Sequence, residues 1–169
     1  MNKFLLAALL VLCGFRAMAA ASISQVLGGT TVGSTGSAIY YQFPNTGTPN
    51  IVWTLRVPPD YSSGTFSLQF ENFPLAGYSG NAKYTLSVAC LSNGSNAASP
   101  TFNTASSVTL SITGANQTIQ DGTISAIDAT GCSARSPMVV KMTRDNTVGS
   151  NSATAVAAGF IVLYYTAVQ

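Results

Sequence analysis

Few side chains in this sequence could carry chemistry. There is no histidine, and the five acidic residues are Asp60, Glu71, Asp121, Asp128 and Asp145. Without histidine, neither a Ser-His-Asp nor a Cys-His nucleophile can be assembled, and every imidazole metal site is excluded. The carboxylates are scattered along the chain. Asp60 follows two prolines and Asp121 precedes Gly122, and both are turn positions first. A glycosidase needs two carboxylates about 5 to 10 Å apart. Glu71 with an aspartate such as Asp121 is the form such a hydrolase would take here, and no motif supports it. Gly-x-Ser-x-Gly, phosphate-cradling glycine patterns and calcium-loop acidic spacing are absent from the sequence. No catalytic residue, cofactor or metal ligand is expected.

Binding chemistry has more to draw on. Tyr61 and Tyr78 fall in predicted loops, where an aromatic ring is open to contact with a sugar or with a partner surface. Tyr40, Tyr41 and Tyr84 are further rings. The single tryptophan, Trp53, alternates with core residues and reads as core. Asn93-Gly94-Ser95 and Asn116-Gln117-Thr118 match glycosylation sequons, which matter only in a eukaryotic secretory route.

The first residues state a destination. Lys3 gives a positive start, Phe4 to Cys13 is an unbroken apolar run, and Ala17-Met18-Ala19 is an A-x-A cleavage site. Residues 1–19 are read as a signal peptide and the protein as secreted, extracellular, surface-bound or periplasmic. The rival reading, an N-terminal membrane anchor, is disfavoured because the run is too short to span a bilayer. Leu12 stands where a lipoprotein cysteine at position 13 would need a small residue. Cleavage removes Lys3, Arg16 and Cys13, so Arg56, Lys83, Arg135, Lys141 and Arg144 balance the five carboxylates. Charged residues are 7% of the chain, against a usual figure of about 25%. That balance gives no electrostatic footprint for nucleic acid and little protection against association. Cys90 and Cys132 remain as an even pair in an oxidising compartment and are read as one disulfide. Two separate buried thiols are the alternative, and a metal pair is weaker still because no further thiol or imidazole completes a shell.

Such binding groups need a scaffold, and the scaffold is legible as alternation. Ile51, Trp53, Leu55 and Val57 alternate with Val52, Thr54 and Arg56 before Pro58-Pro59-Asp60 stops the run. Phe66, Leu68 and Phe70 alternate with Ser67, Gln69 and Glu71; Tyr84, Leu86, Val88 and Cys90 with Thr85, Ser87 and Ala89. Val108, Leu110 and Ile112 repeat the pattern, as do Met138, Val140 and Met142. Asn93-Gly94 reads as a turn, and Asp121-Gly122 as a hairpin between Thr118-Ile119 and Thr123-Ile124. Phe160 to Tyr165 is apolar on both faces, as in a strand central in its sheet or covered by a neighbour. A weaker strand covers Ile39 to Phe43. No helical periodicity is sustained. The expectation is an all-β fold, an antiparallel two-sheet sandwich of jelly-roll or Greek-key type with about eight strands over residues 38–169. Residues 20–37, rich in Ala, Ser, Gly and Thr, are read as a flexible N-terminal arm.

Two stretches resemble a known group. Ile51-Val52-Trp53-Thr54-Leu55-Arg56-Val57-Pro58-Pro59-Asp60-Tyr61, followed by Gly64-Thr65, is similar to a W-x-[FL]-R-x-P-x-[DE] signature. Met142-Thr143-Arg144-Asp145, the stretch Ser152 to Ala158, and Gly159-Phe160-Ile161-Val162-Leu163-Tyr164-Tyr165 follow in the matching order. The signature belongs to short β-sandwich proteins encoded among phage structural genes and in environmental sequences. The resemblance implies a jelly-roll-like virion or tail-associated domain without catalysis. The leader and the cysteine pair depart from that pattern and suggest the same fold used as a secreted protein. In the motifs, Arg56 is expected to pair with Asp145 or Asp60 and pin a turn to a strand.

Together these features suggest a secreted, non-enzymatic structural protein. It would be a subunit that forms a homo-oligomer or polymer, with the 20–37 arm adding a strand to the next copy. The alternative is a carbohydrate-binding or adhesin module that takes a glycan through Tyr61 and Tyr78. A carboxylate hydrolase is the weakest reading. No membrane span is expected once the leader is removed.

Overall fold

The computed structural model describes residues 15–18, 24–28, 30–35, 38–75, 80–112, 118–147 and 155–167. The described residues form eleven strands and no helix: β1 (Phe15–Met18), β2 (Ser24–Gly28), β3 (Thr31–Thr35), β4 (Ala38–Pro44), β5 (Asn50–Arg56), β6 (Phe66–Pro74), β7 (Gly80–Cys90), β8 (Ser106–Ile112), β9 (Gln120–Ile127), β10 (Pro137–Asp145) and β11 (Ala155–Thr166). Every pairing is antiparallel.

One sheet runs β3-β4-β11-β6-β9, with β1 also on β11, and the other runs β2-β5-β10-β7-β8. Eight of the strands, β4 to β11, fall in the segment where about eight are expected. Counted from β4, the first sheet sets its first, eighth, third and sixth strands side by side; the second sets the second, seventh, fourth and fifth. That order is a jelly roll, two packed antiparallel sheets.

Alternation decides which face each strand buries. On β5 the inward positions are Ile51 and Trp53, with Val57 just beyond; on β6 they are Phe66, Leu68 and Phe70; on β7 Ala82, Tyr84, Leu86 and Val88; on β10 Met138, Val140 and Met142. These side chains fill one core between the sheets, and Leu163 and Tyr165 close it from β11. Burying each large apolar side chain contributes roughly 1.5–3 kcal/mol. A smaller cluster of Tyr40, Phe73 and Leu75 packs separately, with the first two rings edge to face at 5.4 Å.

The alternation of β10 also carries Arg144 inward, where it is fully buried. Its Nη1 donates to the Phe43 carbonyl at 2.9 Å. Tyr84, also fully buried, donates its hydroxyl to Asn72 Oδ1 at 2.8 Å. Burial drives the phenol of Tyr84 far above its ordinary range, with the Arg144 charge opposing, and the same desolvation lowers the pKa of Arg144.

Four expectations need correction. Residues 24–28 and 31–35, inside the expected flexible arm of 20–37, form β2 and β3 and pair with β5 and β4 at the sheet edges. They satisfy backbone groups within their own chain and are not spare strands. Second, Asp121-Gly122 is no hairpin but lies within β9. Gly122 is there for space: a Cβ at this position would lie 2.6 Å from the Phe70 ring and 2.9 Å from Leu110. Third, Arg56 pairs with neither Asp145 nor Asp60. Its Nη1 donates to the Arg135 carbonyl at 3.2 Å, while Asp145 pairs with Lys83 at 3.1 Å and Asp60 accepts from the Tyr165 hydroxyl at 2.8 Å. The register explains it, since Asp145 stands opposite Lys83 and Arg56 opposite Pro137. The fourth concerns Tyr61 and is taken up below. Residues Phe15–Met18 of the expected leader form β1, paired with Leu163–Thr166.

Candidate functional site

At one end of the sandwich, the loop between β5 and β6 faces the loop between β9 and β10. A cleft of about 400 Å3 lies between them, lined by Tyr61, Ser62, Ser63, Gly64 and Thr65 on one side and by Asp128, Ala129, Thr130 and Cys132 on the other.

Each wall is held by local chemistry. Pro58-Pro59 ends β5, and Tyr61 N–H donates to the Pro58 carbonyl at 3.2 Å, turning the chain. Tyr61 bridges to Ala167, and Ser62 N–H reaches the Thr166 carbonyl at 3.4 Å, so this wall is tied to the end of β11. On the other wall, Asp128 Oδ1 accepts from Thr130 N–H at 2.9 Å and from Thr130 Oγ1 at 2.6 Å. Asn103, from the segment before β8, donates Nδ2 to the carbonyls of Asp128 at 3.1 Å and Thr130 at 2.9 Å. Further along, Val57 and the 135–136 backbone exchange hydrogen bonds: Val57 N–H to Ser136 and Arg135 N–H to Val57.

The disulfide joins Cys90, the last residue of β7, to Cys132 on the cleft wall, with the Cα atoms 4.9 Å apart and a sequence separation of 42. It fixes that wall to the second sheet. Closing a loop of this length stabilises the fold by roughly 4 kcal/mol in the chain-entropy model.

The cleft offers hydroxyls from Ser62, Ser63, Thr65 and Thr130 and one carboxylate, that of Asp128. The hydrogen bonds from the Thr130 hydroxyl and backbone hold that carboxyl below its ordinary range, so it is charged at neutral pH. Such a group accepts hydrogen bonds from a ligand's hydroxyls. Among the described residues that line the cleft, Asp128 is the one carboxylate, and the one cysteine, Cys132, is in a disulfide.

Of the two expected contact tyrosines, Tyr61 does line the cleft, but not as a platform. The residue is only 5% exposed, its ring packs tilted on Phe66 with centroids 5.1 Å apart, and its hydroxyl donates to the Gly64 carbonyl at 3.0 Å. Burial raises its pKa. Stacking on a sugar is therefore closed to it; the loop position hid the fact that its ring completes the core. Tyr78 lies outside the described residues. Trp53 is in the core, as expected.

Glu71 and Asp121, the carboxylates named for a hydrolase, do meet. They are register partners on β6 and β9, on the outward face of the first sheet and away from the cleft. Sequence reading counted Asp128 among the scattered carboxylates without a binding role and passed over Thr130 and Asn103. The spacing Asp-x-Thr was the available signal for the first two, and it recurs at Asp145 and Thr147 with the same pair of bonds. Among the described residues, no group of three or more His, Cys, Asp or Glu side chains could hold a metal ion, and no helix is long and apolar enough to cross a membrane.

No family model and no curated protein matches the chain. Solved structures do. PfGH50B matches with a TM-score of 0.52 at 14% identity over 88% of this chain, which spans only 23% of that one. The family 11 carbohydrate-binding module of Clostridium thermocellum, in complex with a β-1,3-1,4-mixed-linked tetrasaccharide, matches with a TM-score of 0.43 at 12% identity, over 94% of this chain and 92% of the module. TmCBM61 in complex with β-1,4-galactotriose matches with a TM-score of 0.41 at 14% identity, over 85% and 88%. Likeness at this level concerns the β-sandwich fold.

Proposed function

We propose that the chain is a secreted, non-catalytic carbohydrate-binding domain that grips a sugar by its hydroxyls in the cleft between residues 61–65 and 128–132. The observation that carries this reading is the cleft's composition. One charged carboxylate and four hydroxyl side chains line it. A neutral polyol presents many hydrogen-bond donors and acceptors, and a lining of this kind meets them. The disulfide suits an oxidising compartment.

The ligands of the similar modules, β-1,4-galactotriose and a β-1,3-1,4-mixed-linked tetrasaccharide, are the first probes, followed by a glycan array read with the purified chain. Binding to at least one glycan is expected. Asp128→Ala should weaken that binding on the order of 10- to 100-fold, the worth of hydrogen bonds to a charged acceptor. Silence across the array, or full affinity in Asp128→Ala and Thr65→Ala, would sink the reading.

A further inference from the structure

The two outer faces of the sandwich carry opposite charge. On the outward face of the second sheet stand Arg56, Lys83 and Lys141, at positions that alternate with core residues. Lys83 is neutralised by Asp145 at 3.1 Å. Arg56 is exposed, and Lys141 sits 4.4 Å from the centroid of the Phe102 ring, a contact that leaves its charge unpaired. Arg135, also exposed, adds a third cation beside Arg56, whose Nη1 its carbonyl receives. None of these three forms an ion pair among the described residues.

The outward face of the first sheet is the reverse. Glu71 and Asp121 are directly opposite each other on β6 and β9. Like charges in that relation destabilise a sheet. Neither has an ion pair among the described residues, and Glu71 Oε2 is buried with no hydrogen-bond partner. Among the described residues, then, the two carboxylates lack a cation, and the far side of the same molecule holds cations that lack an acid.

We infer that this protein self-associates by docking the Arg56–Lys141 face of one copy onto the Glu71–Asp121 face of the next. The partner is a second copy, because the charge that each face lacks is the charge that the other presents. The two faces lie on opposite sides of one sandwich, so the contact is heterologous. It leaves a free face at each end of the pair and propagates as a column instead of closing. Nothing in this contact uses the cleft residues, so it stands or falls independently of glycan binding.

The test uses the full chain, followed by sedimentation velocity and light scattering. Assemblies larger than a monomer are expected at about 20 mM salt. The apparent association constant should fall on the order of tenfold by about 0.5 M, where the Debye length has shrunk to a few ångströms. Glu71→Lys/Asp121→Lys and Arg56→Glu/Lys141→Glu should each be monomeric alone. Mixed, they should associate again, since one variant has two basic faces and the other two acidic ones. Thermal melts verify that each variant is folded, and the milder Glu71→Gln/Asp121→Asn replaces any that is not. A monomer at low salt overturns the inference. So does association that survives both charge reversals or ignores salt.

Discussion

Arg144 on β10 donates to the carbonyl of Phe43 on β4 at 2.9 Å, a bond that crosses from one sheet to the other through the core. Both residues are fully buried. Arg144→Ala removes that bond and leaves a cavity, and should cost about 3–5 kcal/mol. Arg144→Met fills the volume but removes the donor to the Phe43 carbonyl, at a cost of about 1–3 kcal/mol. Urea unfolding of the two variants checks the order, and equal midpoints for Arg144→Ala and the parent would refute it.

The disulfide is the second point of test. Reduction of the parent, or the double change Cys90→Ser/Cys132→Ser, should lower stability by roughly 4 kcal/mol. The serine variant should be insensitive to reductant. Thermal melts with and without dithiothreitol measure both statements.

Asn103 holds the cleft wall from outside it, through two carbonyls. Asn103→Ala should cost about 1–3 kcal/mol and leave the Asp128 and Thr130 carbonyls to solvent. Hydrogen exchange should quicken in residues 128–136 more than in β6 or β10, and unchanged protection there would show that the asparagine positions nothing.

Acid should destabilise the fold in a defined way. Asp128 and Asp145 are both held below the ordinary carboxylate range, first by the hydroxyls of Thr130 and Thr147 respectively. A folded pKa below the unfolded one means that the unfolded chain binds protons first as pH falls. The stabilisation is therefore complete above the unfolded value of about 3.9 and disappears as pH drops through the lower folded values. Melting temperature should hold from about pH 6 to about pH 5 and decline below about pH 4. Thr130→Val with Thr147→Val should flatten that decline.

Gly122 is a packing residue. Gly122→Ala should destabilise by about 1–3 kcal/mol, since its Cβ would meet Phe70 and Leu110 at under 3 Å. A thermal melt suffices, and a melting temperature equal to the parent's would show that the ring moves aside freely.

Much of the scaffold could be read without coordinates because period-two alternation is a direct record of which face is buried. The runs Ile51–Val57, Phe66–Glu71, Tyr84–Cys90, Val108–Ile112 and Met138–Thr143 all lie on strands with one neighbouring exception, Val57, which follows β5. The even cysteine pair gave the disulfide. Other features failed for identifiable reasons. The alternation of Met138, Val140 and Met142 continues onto Arg144, but a charge at a core position reads as its end. Asp-Gly is a turn signal only where both residues are free of tertiary demands, and Phe70 makes a demand on Gly122. Tyr61 sits in a loop, yet a loop that folds over the end of a sandwich can send its ring inward. The cleft was invisible because its two walls come from loops distant in sequence that only the strand order brings together.

The strand order also says something about when this molecule can exist. β11, built from residues 155–166, lies between β4 and β6 and bonds to both. Until those residues are available, the first sheet is two separate pieces with bare inner edges, however long the earlier strands have been waiting. A chain still emerging from a ribosome or a translocation pore, with residue 155 not yet delivered, cannot close its core. The fold therefore carries its own delay, staying open during synthesis and closing only after the central strand arrives.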